Sequence, residues 1–219
     1  GNLKEDDELI FEEKSDAFTV GISLSSDEKY YFISTSDHNT SEQYYFKVNE
    51  KKPETKLIKK RKKGILYSIS SWDNKFYNHT NEKAEDFKID ISESLDEQNW
   101  KPFINAKNEV LIGGCVFLKN WIIRSETSNA LEKIFIRNMS SGLEEELIFA
   151  DEKVCVPSIS LRQKDKNTDE IYIGYSSPKT PQRVYLYNIA NKSKKLVKEQ
   201  KIPSGHNPNN YIVERVEFK

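Results

Sequence analysis

This 219-residue chain repeats one design four times: four short runs of alternating apolar and polar residues, separated by polar turns. The first set comprises residues 17–24, 30–35, 42–48 and 55–59, and the second 64–70, 75–80, 85–91 and 100–104. The third comprises 109–117, 121–126, 131–137 and 144–149, and the fourth 154–161, 170–176, 183–189 and 194–199. Tyr31, Phe76 and Trp121 open the second run of successive sets and stand 45 residues apart. Ile171, the fourth counterpart, follows after 50, because residues 164–168 lengthen the preceding turn. A period of this size with four strands per unit predicts β-propeller blades. A lone twisted four-stranded sheet cannot bury both faces, whereas stacked sheets bury each other's. The expected fold is therefore all-β: a partial propeller of about four four-stranded antiparallel blades.

No segment sustains a 3.6-residue apolar stripe over three turns; residues 92–98 predict at most a short turn, with Ser94 and Asp96 as caps. Residues 7–13 read as the outer strand of a blade that begins before Gly1. The expected organisation is a partial propeller over 1–203, with a remnant strand at 7–13 and blades at 17–59, 64–104, 109–149 and 154–199. Residues 204–219 then run out toward another domain.

Hydrophobic residues make up 36% of the chain and charged residues 32%, but aromatic and β-branched residues are spread evenly, so a packed fold is expected. A net charge of −1 gives no overall field toward nucleic acid or membrane. No apolar run approaches a membrane span, and no leader is visible. Cys115 and Cys155 lie in apolar, strand-like runs and read as buried, reduced thiols of a cytoplasmic protein, with a disulfide as the other reading. Asn-x-Ser/Thr triplets at Asn39, Asn78, Asn138 and Asn191 are chance products of a chain rich in these residues.

Candidate chemistry is sparse. Gly174-Tyr175-Ser176-Ser177-Pro178 is a near miss for a nucleophile elbow: Pro stands where Gly is needed, and no helix can follow Thr180-Pro181. Gly113-Gly114-Cys115-Val116-Phe117 fails because Phe117 occupies the small-residue site. His38 and His206 fall in polar turns and His79 in a strand, with no nucleophile and carboxylate implied beside them. Metal-ligand spacing is absent, and no cofactor is expected. The run Lys59, Lys60, Arg61, Lys62, Lys63 reads as a solvated loop between blades, with phosphate-backbone binding as the alternative. Trp72-Asp73 matches a WD dipeptide but sits in a turn and is not repeated. Glu144, Glu145 and Glu146 read as a solvated edge that discourages strand addition, ahead of a site for a basic peptide.

These residues also carry a resemblance. Asp7-Glu8-Leu9-Ile10-Phe11-Glu12-Glu13, Thr40-Ser41-Glu42 before an aromatic strand, a basic loop leading to Gly64-Ile65-Leu66-Tyr67, and Phe76-Tyr77 with Thr80-Asn81 come first. Asp86-Phe87-Lys88, Asn99-Trp100-Lys101, Tyr175-Ser176-Ser177 with Thr180-Pro181 and Val184-Tyr185, and Pro203-Ser204-Gly205 through Pro208, Tyr211 and Glu214-Arg215 follow in order. The set resembles the propeller of the oligopeptidase B (protease II) group in the prolyl oligopeptidase family of serine peptidases. Val213 departs from the Ser usual before Glu-Arg.

The resemblance implies a parent enzyme that cleaves short peptides after Arg or Lys. Its Ser-Asp-His triad would lie on an α/β-hydrolase domain, and the propeller would act as a lid that excludes folded proteins. No catalytic residue is carried onto this chain, and none is expected in it. Residues 204–219 become the crossover to the hydrolase domain, with Tyr211, Glu214 and Arg215 as its candidate residues. That domain and short basic peptides are the implied partners. An open stack of blades is expected to close into a smaller ring or to self-associate. The alternative is a self-contained propeller serving as a protein-interaction platform.

Overall fold

A computed structural model of the chain describes residues 7–95, 99–148, 152, 154–161 and 166–216. The chain divides into two compact units, residues 1–108 and 109–219.

Each unit contains two four-stranded sheets, and every sheet is an antiparallel meander in chain order. Blade 1 is β1 (Thr19–Leu24), β2 (Tyr30–Ser36), β3 (Ser41–Lys47) and β4 (Lys56–Lys59). Blade 2 is β5 (Tyr67–Trp72), β6 (Lys75–Thr80), β7 (Lys88–Ser92) and β8 (Lys101–Ile104). The second unit holds blade 3, β9 (Val110–Leu118), β10 (Trp121–Ser128), β11 (Leu131–Asn138) and β12 (Glu144–Glu146). Blade 4 is β13 (Val156–Leu161), β14 (Glu170–Ser176), β15 (Arg183–Asn188) and β16 (Lys194–Glu199). The 45-residue recurrence thus marks real blades.

Turn chemistry explains where strand limits differ from the alternation. Residues 64–66 alternate, but the Ile65 N–H donates to the Lys62 carbonyl and Gly64 has φ 80°, so the chain turns before β5 begins at Tyr67. Residues 85–87 form a second turn, with the Phe87 N–H on the Ala84 carbonyl and Phe87 at φ 66°. Trp72 ends β5, and Asp73 and Asn74, both at positive φ, make the two-residue turn to β6. Asn129 and Ala130 do the same between β10 and β11. Cys155 precedes β13 rather than lying in it. Phe149, and residues 96–98 of the expected helical turn, lie outside the described residues.

Residues 7–13 join no ladder with the described strands. Side chains hold this segment instead: Phe11 packs on Tyr44 with ring centroids 4.7 Å apart, and Glu13 pairs with Arg61.

Within each unit the blades bury each other. Leu118, Ile123, Ile134 and Ile136 of blade 3 meet Ile171, Ile173, Tyr187 and Ile189, carried by blade 4 and its flank, in one cluster. Phe32 and Ile58 of blade 1 meet Tyr67, Ile69 and Phe76 of blade 2. Polar pegs register the sheets. Ser41 Oγ donates to the Tyr67 carbonyl (2.8 Å), and Gln43 Oε1 accepts from the Ile69 N–H (2.7 Å). Lys119 N–H donates to the Lys166 carbonyl (2.9 Å).

The two sheet edges differ in charge. The first strands, TVGISL, YSISSW, VLIGGCVFL and VPSISL, hold no Asp, Glu, Lys or Arg. The fourth strands, KLIK, KPFI, EEE and KKLVKE, each carry at least one, and KPFI adds a Pro, which blunts exposed edges against pairing with other chains.

Candidate functional site

An up-and-down meander places the turn between its second and third strands at the same end as the exit of its fourth. The chain after β16 therefore leaves blade 4 beside the β14–β15 turn. It then crosses the end of the second unit that carries the β10–β11 turn. This post-blade segment contains Tyr211, Glu214 and Arg215. Tyr211 stacks on His206, with centroids 5.3 Å apart and planes 17° apart. Arg215 Nη2 donates to the Asn129 carbonyl at 2.6 Å, and Glu214 is exposed. Asn207 caps a single 3₁₀ turn, Pro208–Asn210, by accepting from the Asn209 N–H.

The corresponding end of the first unit holds the basic run, and two of its five cations are consumed structurally. Lys59 ends β4 and pairs with Glu82. Arg61 is gripped by Glu42, whose Oε2 accepts from the Arg61 backbone N–H (2.7 Å) and whose Oε1 accepts from Nη2 (3.0 Å). Arg61 also meets Glu13 and lies 4.1 Å from the centre of the Phe18 ring. Lys60, Lys62 and Lys63 are exposed, so the solvated-loop reading describes these three only. Burial pushes the Glu42 carboxyl up, but hydrogen bonds from the Arg61 N–H, the Tyr44 hydroxyl and the guanidinium outweigh it and hold it below 4.5. Burial and the bond to Glu42 push the Tyr44 hydroxyl up to about 12.

The nucleophile candidates are occupied by architecture. Ser176 ends β14, and Ser177 opens a turn in which its Oγ accepts from the Lys179 (3.3 Å) and Thr180 (3.0 Å) N–H groups. A strand running into such a turn is no elbow. Cys115 and Cys155 are free thiols, half-buried rather than buried. Burial pushes the Cys115 thiol up to about 12 despite the attraction of Arg124, which leaves almost no thiolate near neutrality. His206 Nε2 donates to the Lys179 carbonyl (2.7 Å), and His79 stacks on Phe87. Among the described residues, no group of three His, Cys, Asp or Glu is placed to hold a metal ion, and no helix is long and apolar enough to cross a membrane.

The acidic edge strand is more than solvated. Glu144 clamps Arg124, Glu145 pairs with Lys192 of the β15–β16 turn, and Glu146 pairs with Lys133. Arg124 and Glu126 are each only 4% exposed, and Arg124 Nη2 meets Glu126 Oε1 at 2.6 Å. This Glu-Arg-Glu cluster, with Arg124 over the Phe135 ring, escaped sequence reading; the signal was the i, i+2 spacing of Arg124 and Glu126, which puts both on one face of a strand. Beside it, Gly113 and Gly114 oppose Ser125 alone in a bulge. A Cβ on Gly113 would lie 2.4 Å from Ser125 Oγ and 2.9 Å from its carbonyl oxygen, so no side chain fits there.

Residues 1–200 match the family model described as prolyl oligopeptidase, N-terminal beta-propeller domain. Protease 2 of Moraxella lacunata is 28% identical over 201 residues, covering 86% of this chain and 27% of that protein. Dipeptidyl aminopeptidase BI of Pseudoxanthomonas mexicana is 26% identical over 219 residues, covering 99% and 30%. Among solved structures, oligopeptidase B from Trypanosoma brucei with covalently bound antipain superposes with a TM-score of 0.85 at 22% identity, covering 97% of this chain and 31% of that one. Oligopeptidase B from Leishmania major gives 0.84 at 18%, covering 99% and 32%. The chain spans less than a third of the length of each of these proteins. With four meander blades and a family match along residues 1–200, the chain belongs to the prolyl oligopeptidase family, as part of its N-terminal β-propeller domain.

Proposed function

We propose that this chain is the non-catalytic lid of a serine oligopeptidase that cleaves short peptides after Arg or Lys. The nucleophile, its base and the oxyanion donors would reside in an α/β-hydrolase domain joined through the post-blade segment. The blades would limit substrate size, and hinge opening would admit peptide. The observation that carries this reading is the run of four blades matching the family's propeller over residues 1–200. The turn-bound Ser177 and the carbonyl-bound His206 accord with a lid rather than a catalytic centre. A cytoplasmic setting accords with two free thiols.

The test compares the 219-residue chain with the complete product of its gene. The chain alone should leave Arg- and Lys-terminated chromogenic peptides intact. The complete product should cleave them, lose that activity to a serine-directed inhibitor, and spare folded proteins. Inhibitor-sensitive cleavage by the chain alone would overturn the lid assignment. A complete product without peptidase activity would favour an interaction platform.

A further inference from the structure

The stretch after β16 reads in sequence as a connector, but its contacts are those of a fastened strap. The Gln200 N–H donates to the Gln182 carbonyl (2.8 Å), one step beyond the last β15–β16 pair. The chain then reverses at Gly205, whose φ is 82° and whose N–H donates to the Ile202 carbonyl. His206 fastens to the Lys179 carbonyl in the β14–β15 turn, and its ring stacks on Tyr211. Arg215 fastens to the Asn129 carbonyl in the β10–β11 turn. That acceptor sits in a two-residue turn with both φ angles positive, a closely determined geometry that presents a fixed target. Its first part borders an open groove of ≈ 650 Å³ lined by Arg183, Glu199, Ile202, His206 and Pro208 among others. One end of the strap therefore belongs to blade 4 and the other to blade 3.

We infer that residues 200–215 form a clasp across the third and fourth blades, and that the chain pivots at Val216, with Arg215 as the positioning residue that keeps the pivot there. The pivot half of this inference rests on the lid reading above; the clasp does not. With Arg215 bound, the connector is part of the blade surface and transmits movement rigidly. With Arg215 released, the last fastening left is His206, and the connector between lid and partner domain lengthens by the residues from 207 to 215. A longer connector permits wider opening, so longer peptides enter.

Two measurements test this. Hydrogen exchange on the 219-residue chain should show the Asn209, Asn210 and Tyr211 amides exchanging severalfold faster in R215A than in wild type, with R215K partly restoring protection and the β14 and β15 amides unchanged. Equal exchange in R215A and wild type would overturn the clasp. In the complete gene product, R215A should raise kcat/KM for a long unstructured peptide severalfold relative to that for a dipeptidyl anilide, and R215K should bring the ratio back toward wild type. An unchanged ratio would overturn the pivot placement. Absence of all peptidase activity in that product would sink the lid reading and the pivot with it, while the exchange data still decide the clasp.

Discussion

The Trp121 indole N–H donates to the Asp169 carboxylate at 2.6 Å, tying the first residue of β10 to the residue just before β14. Trp121 also packs against the apolar cluster joining blades 3 and 4, so one side chain supplies both burial and a charge-assisted bond. Trp121→Phe keeps most of the burial and deletes the bond. It should destabilise the second unit by about 1–2 kcal/mol. Urea unfolding of this variant and of Asp169→Ala should give similar losses, with a double variant little worse than either.

At the centre of the same interface Ile123 is fully buried. Ile123→Ala removes three heavy atoms from a close-packed layer and should cost about 2–5 kcal/mol, read as a lowered denaturation midpoint. Ile123→Val should cost about 0.5–1.5 kcal/mol. A loss no larger for Ala than for Val would show that the interface collapses around the gap.

Arg124 is held by Glu126 and Glu144 with its side chain 3% exposed. Arg124→Ala leaves the buried Glu126 carboxylate without its cation and should destabilise by about 3–5 kcal/mol. Adding Glu126→Gln and Glu144→Gln to Arg124→Met removes the stranded charge and should recover much of that loss. Thermal unfolding of the single and triple variants distinguishes a charge effect from lost packing around Phe135.

Stability should also depend on pH through blade 1. Glu42 and Glu13 are held below their ordinary 4.5, so the folded chain binds fewer protons than the unfolded one around that pH. Their contribution is fully present above about 4.5 and is lost as pH falls through the folded values. Tyr44, raised to about 12, behaves oppositely: its contribution is present below 10 and is lost as pH rises toward 12. The stability gap between wild type and Glu42→Gln, measured by urea titration, should shrink below pH 4.5. The gap for Tyr44→Phe should shrink above pH 10.

Cys115 should resist alkylation in the native protein near pH 7.5 and react rapidly once the chain is unfolded, because burial pushes its thiol to about 12. Mass spectrometry after a timed iodoacetamide pulse reads the difference. Equal labelling in native and unfolded protein would show that β9 opens readily.

The blades were legible in sequence because alternation and turn chemistry are local. Tyr31, Phe76, Trp121 and Ile171 each lie at or next to the first residue of a second strand. Strand starts at 64–66 and 85–87 misled because those residues alternate while their backbone turns. At residues 7–13 alternation reports two-sidedness, and Phe11 and Glu13 do face inward, onto Tyr44 and Arg61; the blade this segment was read into would begin before Gly1. The fastenings of His206 and Arg215 were invisible because both acceptors are main-chain carbonyls, which every residue carries. The cations on Glu144, Glu145 and Glu146 were partly hidden for a different reason: Lys192 comes from the neighbouring blade.

The long reach of Arg215 has a consequence for the order in which the molecule assembles. The hydrogen bonds that peg one blade to the next close loops of 8 to 48 residues, from Lys59–Tyr67 to Trp121–Asp169. The bond from Arg215 to Asn129 closes a loop of 86. Closing that larger loop in an unfolded chain costs about 0.5 kcal/mol more than the longest of the others, and its target turn does not exist until β10 and β11 have paired. The bond can therefore form only after β10 and β11 have paired. Arg215 acts as a late latch, and its attachment reports that its target hairpin is in place.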